Sequence, residues 1–116
     1  VESNNFKFLH LGDTGYTRDF KDIRKKLGKP DLVAIPIGAY KPRDIMRYSH
    51  LNPDEALKTF IDLEAKKAVA MHWGTFILSQ EAVDEPINEI KSNLKNQGIE
   101  ESNFLILKHG ETINLN

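Results

Sequence analysis

The 116-residue chain has no cysteine, which excludes disulfides and thiolate metal sites. Any metal would have to be held by histidine and carboxylate. The lack of cysteine otherwise leaves the compartment open, with a lean towards the cell interior. Charge of one sign is also lacking. Sixteen basic side chains face seventeen acidic ones, so there is no electrostatic footprint for nucleic acid. Long apolar runs are missing too: the run from Leu32 to Tyr40 is broken by Pro36 and Gly38 and falls well short of the roughly 20 residues that span a bilayer. Phosphate cradles of the Gly-x-x-x-x-Gly-Lys or Gly-x-Gly-x-x-Gly type do not occur; only Gly12-x-x-Gly15 does. The start, Val1 to Asn5, has neither a basic region nor a signal-like core, and it lacks an initiator methionine. The chain is therefore expected to begin partway through a longer protein.

What is present describes an ordinary folded domain. The composition is 40% hydrophobic and 28% charged, and the length fits one compact unit. Phe6 to Leu11 is short, aromatic and partly alternating, and reads as a strand. Asp19 to Leu27 places Phe20, Ile23 and Leu27 at helical spacing, with Gly28 as the stop. Asp31 to Ile37 is a continuous apolar run, expected to be a strand covered on both faces. Gly38 to Leu51 reads as a long loop carrying Tyr40, Arg43, Tyr48 and His50, of a length typical of binding loops. Asn52, Pro53 and Glu55 spell a capped helix start, with Ala56, Leu57, Phe60, Ile61 and Leu63 forming its apolar face. Lys67 to Met71 is a third short strand. Glu85-Pro86 opens a last helix carrying Ile87, Ile90 and Leu94 and ending at Gly98. Phe104 to Leu107 and Thr112 to Leu115 are expected to pair as a terminal hairpin about Lys108–Glu111. The order β-α-β-α-β-α-β-β predicts a layered α/β fold around a mostly parallel sheet.

The chemistry is expected where strands end. Gly12-Asp13-Thr14-Gly15 puts a carboxylate on a tight turn at the carboxyl edge of the sheet. Read plainly, Asp13 turns or caps the chain. An aspartic protease would use two such loops to share a proton, but those enzymes are all-β and this chain has three well-punctuated helices. In a metal site, Asp13 could bridge two divalent ions roughly 3.5–4 Å apart. His72, in His72-Trp73-Gly74-Thr75, is the natural partner, unless it is a surface or core histidine. His50 precedes a helix cap and could reach the same edge as a titrating donor, or lie in solvent. His10 is expected to be packed or hydrogen-bonded, and His109 to face solvent. Arg43 is a candidate anion contact.

Gly12-Asp13-Thr14-Gly15-Tyr16, Asp31 to Arg43, His50 to Ala56 and Met71 to Phe76 together closely resemble the family of N-acylphosphatidylethanolamine-hydrolysing phospholipases D in the metallo-β-lactamase superfamily. The ending Leu107-Lys108-His109-Gly110-Glu111 is similar as well. The resemblance implies the carboxyl-terminal half of an αβ/βα sandwich over residues 1–116, with a two-zinc centre that hydrolyses an N-acyl phospholipid to phosphatidic acid and an N-acylethanolamine. It carries Asp13 over as the bridging carboxylate, His72 as a zinc ligand, and His50 as a catalytic residue near the substrate phosphate. The family's His-x-His-x-Asp-His cluster and one further histidine ligand are absent. The chain alone is thus expected to be inactive and to need the amino-terminal half, with intracellular, peripheral membrane contact and a possible homodimer. Alternatives are a related hydrolase of another phosphodiester or a lactone, and a non-catalytic binding module.

Overall fold

The computed structural model describes residues 1–115. A five-stranded sheet runs in the order β1 (Glu2–Ser3), β2 (Phe6–His10), β3 (Leu32–Pro36), β4 (Lys67–Met71), β5 (Phe104–Leu105). Only β1 is antiparallel to its neighbour; the remaining pairs are parallel. The helices are α1 (Asp19–Leu27), α2 (Arg43–Met46), α3 (Pro53–Leu63) and α4 (Glu85–Asn96), with a 3₁₀ turn at Glu101–Asn103. No helix among the described residues is long and apolar enough to cross a membrane.

Register divides the sheet into two faces. Leu9, Val33, Ala68 and Phe104 stand in one row across the four parallel strands. They join Phe20 of α1, Leu57 and Phe60 of α3, and Ile90 and Leu94 of α4 in a single core. Phe60 meets Phe104 edge-on at 5.7 Å. On the opposite face, Phe8, Val69, Met71 and Leu105 stay half-buried. Such a sheet, with helices on one face only, is the expected half of an αβ/βα sandwich.

The α3 start forms as its sequence dictates. Asn52 Oδ1 accepts from the Glu55 amide at 2.8 Å, and Glu55 Oε2 accepts from the Asn52 amide at 3.1 Å. Two orphan donors are thereby satisfied, and Pro53 occupies the first turn without losing a bond. Other expectations need correction. The segment 38–51 is not all loop, since Arg43–Met46 forms a single helical turn. Leu27 is 64% exposed and Ile61 44% exposed, because α1 and α3 each bury a narrower stripe than their periodicity allows. The terminal hairpin does not form: β5 ends at Leu105, and residues 112–115 are not a strand. The Glu111 side chain accepts the Lys108 amide at 2.7 Å, which closes a local turn with the group a returning strand would use.

Asp62 of α3 is buried and joins the helices. Tyr16 Oη donates to it at 2.5 Å, and Lys21 and Lys58 lie at 3.6 and 3.5 Å. Burial alone would raise its pKa, but the tyrosine hydrogen bond and the two lysines outweigh burial and hold it below the ordinary 3.8. A depressed folded pKa contributes stability that is present above the unfolded value and is lost as pH falls through the folded one. Asp62→Asn should therefore unfold at a lower temperature than the parent at pH 7. The gap should close as pH drops below 3.8, as read by thermal melts across pH 7 to 2. A gap independent of pH would refute this assignment.

Candidate metal centre

Three loops deliver the site, each from the carboxyl end of one of three adjacent parallel strands. The β2–α1 loop carries Asp13. The long β3–α3 connection carries His50, and His72 directly follows β4. The sheet ladder continues into these ends, with Leu11 N–H donating to Ala34 O and Ile37 N–H to Met71 O.

Two glycines let the loops close on one another. At Gly15, a Cβ would stand 2.4 Å from Arg47 O and 2.8 Å from Tyr48 O, so the Asp13 turn rests directly on the chain leading to His50. At Gly38, a Cβ would stand 2.2 Å from His72 O. His72 itself adopts φ 59°, a left-handed conformation unusual for a residue with a side chain. The ring is aimed by strained backbone held against Gly38.

The result is a convergence. His72 Nε2 lies 3.6 Å from Asp13 Oδ1. The His50 and His72 rings lie 5.4 Å apart at 30°. One ligand atom from each of Asp13, His50 and His72 falls within 4.8 Å of the others. His50 Nδ1 is buried without a hydrogen-bond partner, at a cost that only a ligand or partner would offset. Two imidazoles and a carboxylate on so short a span suit zinc and similar divalent ions. The donor set therefore fits a metal.

Arg43 is not brought into this cluster. Its guanidinium donates to Tyr40 O at 3.3 Å, His50 O at 3.0 Å and Glu55 Oε2 at 2.6 Å. These donors brace the loop that carries His50. His10 is hydrogen-bonded, as expected: its Nδ1 accepts from the Gly12 amide at 3.1 Å.

Sequence reasoning missed Glu81. Buried before α4, it accepts from the Tyr40 and Lys41 amides at 3.2 and 3.0 Å and from Ser79 Oγ at 2.6 Å. Burial pushes its pKa up, but the hydrogen bonds outweigh burial and hold it low. No motif announces it, because its partners are mostly backbone.

His109 faces solvent yet is not free. Its ring lies 5.4 Å from that of Trp73, Nε2 is 3.2 Å from Thr75 Oγ1, and Cε1 is 3.2 Å from where a Gly74 Cβ would stand. One imidazole thus touches all three residues that follow His72. His109 bonds Thr75 rather than a candidate ligand, so His109→Ala should weaken divalent-metal binding only by loosening the turn after His72. His109→Gln, which keeps a donor near Thr75, should recover most of that loss in calorimetric titration. Equal losses in both variants would reduce His109 to a packing role.

Comparison with known proteins identifies the fold family. Residues 1–73 match the Beta-lactamase superfamily domain. A solved structure, Igni18, a novel metallo hydrolase from the hyperthermophilic archaeon Ignicoccus hospitalis, superposes with TM-score 0.61. It is 25% identical, and the match covers 90% of this chain and 40% of that one. The chain belongs to the metallo-β-lactamase superfamily. Within it, the chain is similar to N-acyl-phosphatidylethanolamine-hydrolyzing phospholipases D. It is 38% identical to N-acyl-phosphatidylethanolamine-hydrolyzing phospholipase D 1 of Caenorhabditis elegans over 96% of this chain and 32% of that protein. It is 43% identical to the mitochondrial N-acyl-phosphatidylethanolamine-hydrolyzing phospholipase D of Saccharomyces cerevisiae over 72% of this chain and 18% of that protein. The chain spans about a third or less of the length of these relatives.

Proposed function

We propose that this chain supplies one wall of a zinc-dependent phosphodiesterase that hydrolyses N-acylphosphatidylethanolamine. The observation that carries the reading is the convergence of Asp13, His50 and His72 within 4.8 Å at the edge of a parallel sheet. Asp13 and His72 would hold metal, Asp13 having two oxygens with which to bridge a pair of ions. When bound, divalent ions polarise phosphoryl oxygens and bring the pKa of water towards 7. His50, beside these ligands, is placed to hold a proton for the departing ethanolamine oxygen. In the net reaction the bond from phosphorus to that oxygen breaks, water oxygen stays on phosphorus, and the leaving alcohol takes the proton. Arg43 acts by holding the His50 loop against Glu55.

Asp13 and His72 cannot by themselves complete a two-zinc centre. The remaining donors would come from the rest of a longer protein, seated on the half-buried face of Phe8, Val69 and Leu105, or, less simply, from a second copy. Membrane contact would be peripheral. The test is hydrolysis by the longer, zinc-loaded protein. It should release phosphatidic acid from N-acylphosphatidylethanolamine and do so better than it opens lactones or cleaves soluble diesters. The 116-residue chain alone should show no turnover. Preference for a lactone would move the assignment to another branch of the superfamily, and turnover by the chain alone would overturn the split-site reading.

A further inference from the structure

Residues 38–41 belong to no strand or helix, yet both histidines of the site depend on where they lie. On one side, Gly38 packs so closely on the His72 carbonyl that a Cβ would stand 2.2 Å from its oxygen. On the other, Tyr40 O accepts from Arg43 Nη1 at 3.3 Å, and the same nitrogen donates to His50 O at 3.0 Å. Ala39 and Tyr40 are buried, and Ala39 is left-handed at φ 62°. Such backbone is unfavourable for a residue with a Cβ and persists only where its surroundings fix it. A buried amide also needs an acceptor. Here one buried side chain serves two of them. Glu81 Oε1 accepts from the Tyr40 amide at 3.2 Å and Oε2 from the Lys41 amide at 3.0 Å, while Ser79 Oγ donates to Oε1 at 2.6 Å. Gln80 N–H donates to Lys41 O at 3.3 Å, so residues 79–81 hold the segment by its donors and by its acceptor.

We propose that Glu81 is a positioning residue for the metal centre, setting His72 and His50 relative to one another through the backbone of residues 38–41. The assignment rests on the metal-centre reading above and adds the group that fixes its two imidazoles. A buried carboxylate is costly unless its oxygens are satisfied. Those of Glu81 are satisfied by the segment that joins the two histidines and not by a lysine, since the Lys41 ammonium pairs with Glu85 instead. Hydrogen bonds to a charged acceptor are also stronger than those to a neutral one, which suits a group that must hold a left-handed residue in place. Glu81 acts on the histidines by geometry alone. A shift of the Tyr40 amide would move Gly38 against the His72 carbonyl and, through Tyr40 O and Arg43, slacken the hold on His50. A glutamine in its place fits the volume but not the role. It offers one acceptor oxygen where the carboxylate has two, and its NH2 group would face a backbone N–H, donor against donor.

Long-range ¹H–¹⁵N spectra of the metal-free chain read the imidazole nitrogens directly. Glu81→Gln should move the ring signals of His50 and His72 and leave those of His10, whose Nδ1 is held by the Gly12 amide at 3.1 Å. Zinc binding, titrated by calorimetry, should weaken by about 2- to 30-fold, the span for residues along a coupled network. Glu85→Gln is the contrast. It removes a charge beside the same segment but bonds the Lys41 side chain and the Ala82 amide rather than the amides of Tyr40 and Lys41, so it should leave both rings in place whatever its effect on Tm. Ser79→Ala takes one bond from Glu81 and keeps the carboxylate. It should move the same two rings by less, and it decides the matter where circular dichroism shows Glu81→Gln to be unfolded. Unmoved His50 and His72 signals in folded Glu81→Gln, equal movement in Glu85→Gln, or unmoved signals in Ser79→Ala beside an unfolded Glu81→Gln each overturn the proposal. The two readings fail separately. Moved rings in a chain that binds no zinc keep the hold of Glu81 on the histidines and remove the metal centre. Zinc binding by the parent chain with unmoved rings in the variants does the reverse.

Discussion

Zinc should stabilise this chain against heat, and His72→Ala should abolish that stabilisation. A ligand present at about 100 times its dissociation constant stabilises a fold by about 2.7 kcal/mol. For a domain of this size that raises Tm by about 10 °C. The ring of His72 is one of the two groups proposed to hold the metal, and its Nε2 lies 3.6 Å from Asp13 Oδ1. Removing it leaves Asp13 as the one proposed ligand on this chain. Loss of an outer partner costs about 10–100-fold in metal affinity, and loss of a ligand should cost more. Asp13→Asn should behave alike, since a neutral amide is a poor bridge between cations. Differential scanning fluorimetry with and without zinc, followed by phosphodiesterase assays on the longer protein, checks both. A full zinc shift in either variant would show that the cluster is not the metal site.

Gly38→Ala should damage both the fold and the site. The new Cβ would meet His72 O at 2.2 Å and the carbonyl carbon at 3.3 Å. Both are backbone atoms at the end of β4 and cannot rotate away as a side chain would. Overpacking of this kind costs about 1–3 kcal/mol or more, which lowers Tm by several degrees. The displaced backbone carries the His72 ring with it, so the variant should lose zinc response as well as stability. Gly98→Ala makes a fair control. Unlike Gly38, that glycine is left-handed, at φ 67°, and nothing lies within 4 Å of its missing Cβ. Its cost should be conformational only, with the zinc response intact. Equal zinc responses in the two variants would disprove the claim that Gly38 seats His72.

The frame and the converging side chains are legible in the sequence for physical reasons. Asn52, Pro53 and Glu55 announce α3 because capping is local, and its two hydrogen bonds are satisfied within four residues. Asp13 and His72 are visible because strand ends with glycine neighbours are few in so short a chain. What could not be read depends on distance along the chain. The match of Gly38 to His72 and of Gly15 to Arg47 is a contact between loops, and a glycine does not say which of its freedoms is in use. That Arg43 bonds Glu55 could not be read either, because a loop arginine carries the same charge whichever partner it meets. The expected hairpin stops at its turn: Glu111 N–H donates to Lys108 O and the Glu111 side chain accepts from the Lys108 amide, but no strand follows. His109, read as a solvent residue, is indeed exposed, but no local pattern could show that Trp73 and Thr75 lie beneath it.

The placement of the three donors on three successive connections has a kinetic side. Neither Asp13 nor His50 nor His72 is near another in the unfolded chain, so their meeting requires β2, β3 and β4 to be aligned first. A cation captured there would arrive last in refolding and, once held, would tie the ends of three strands together. Since that tie must be released before the sheet can come apart, stripping the ion with a chelator should show itself foremost as faster unfolding, with the rate of refolding scarcely altered.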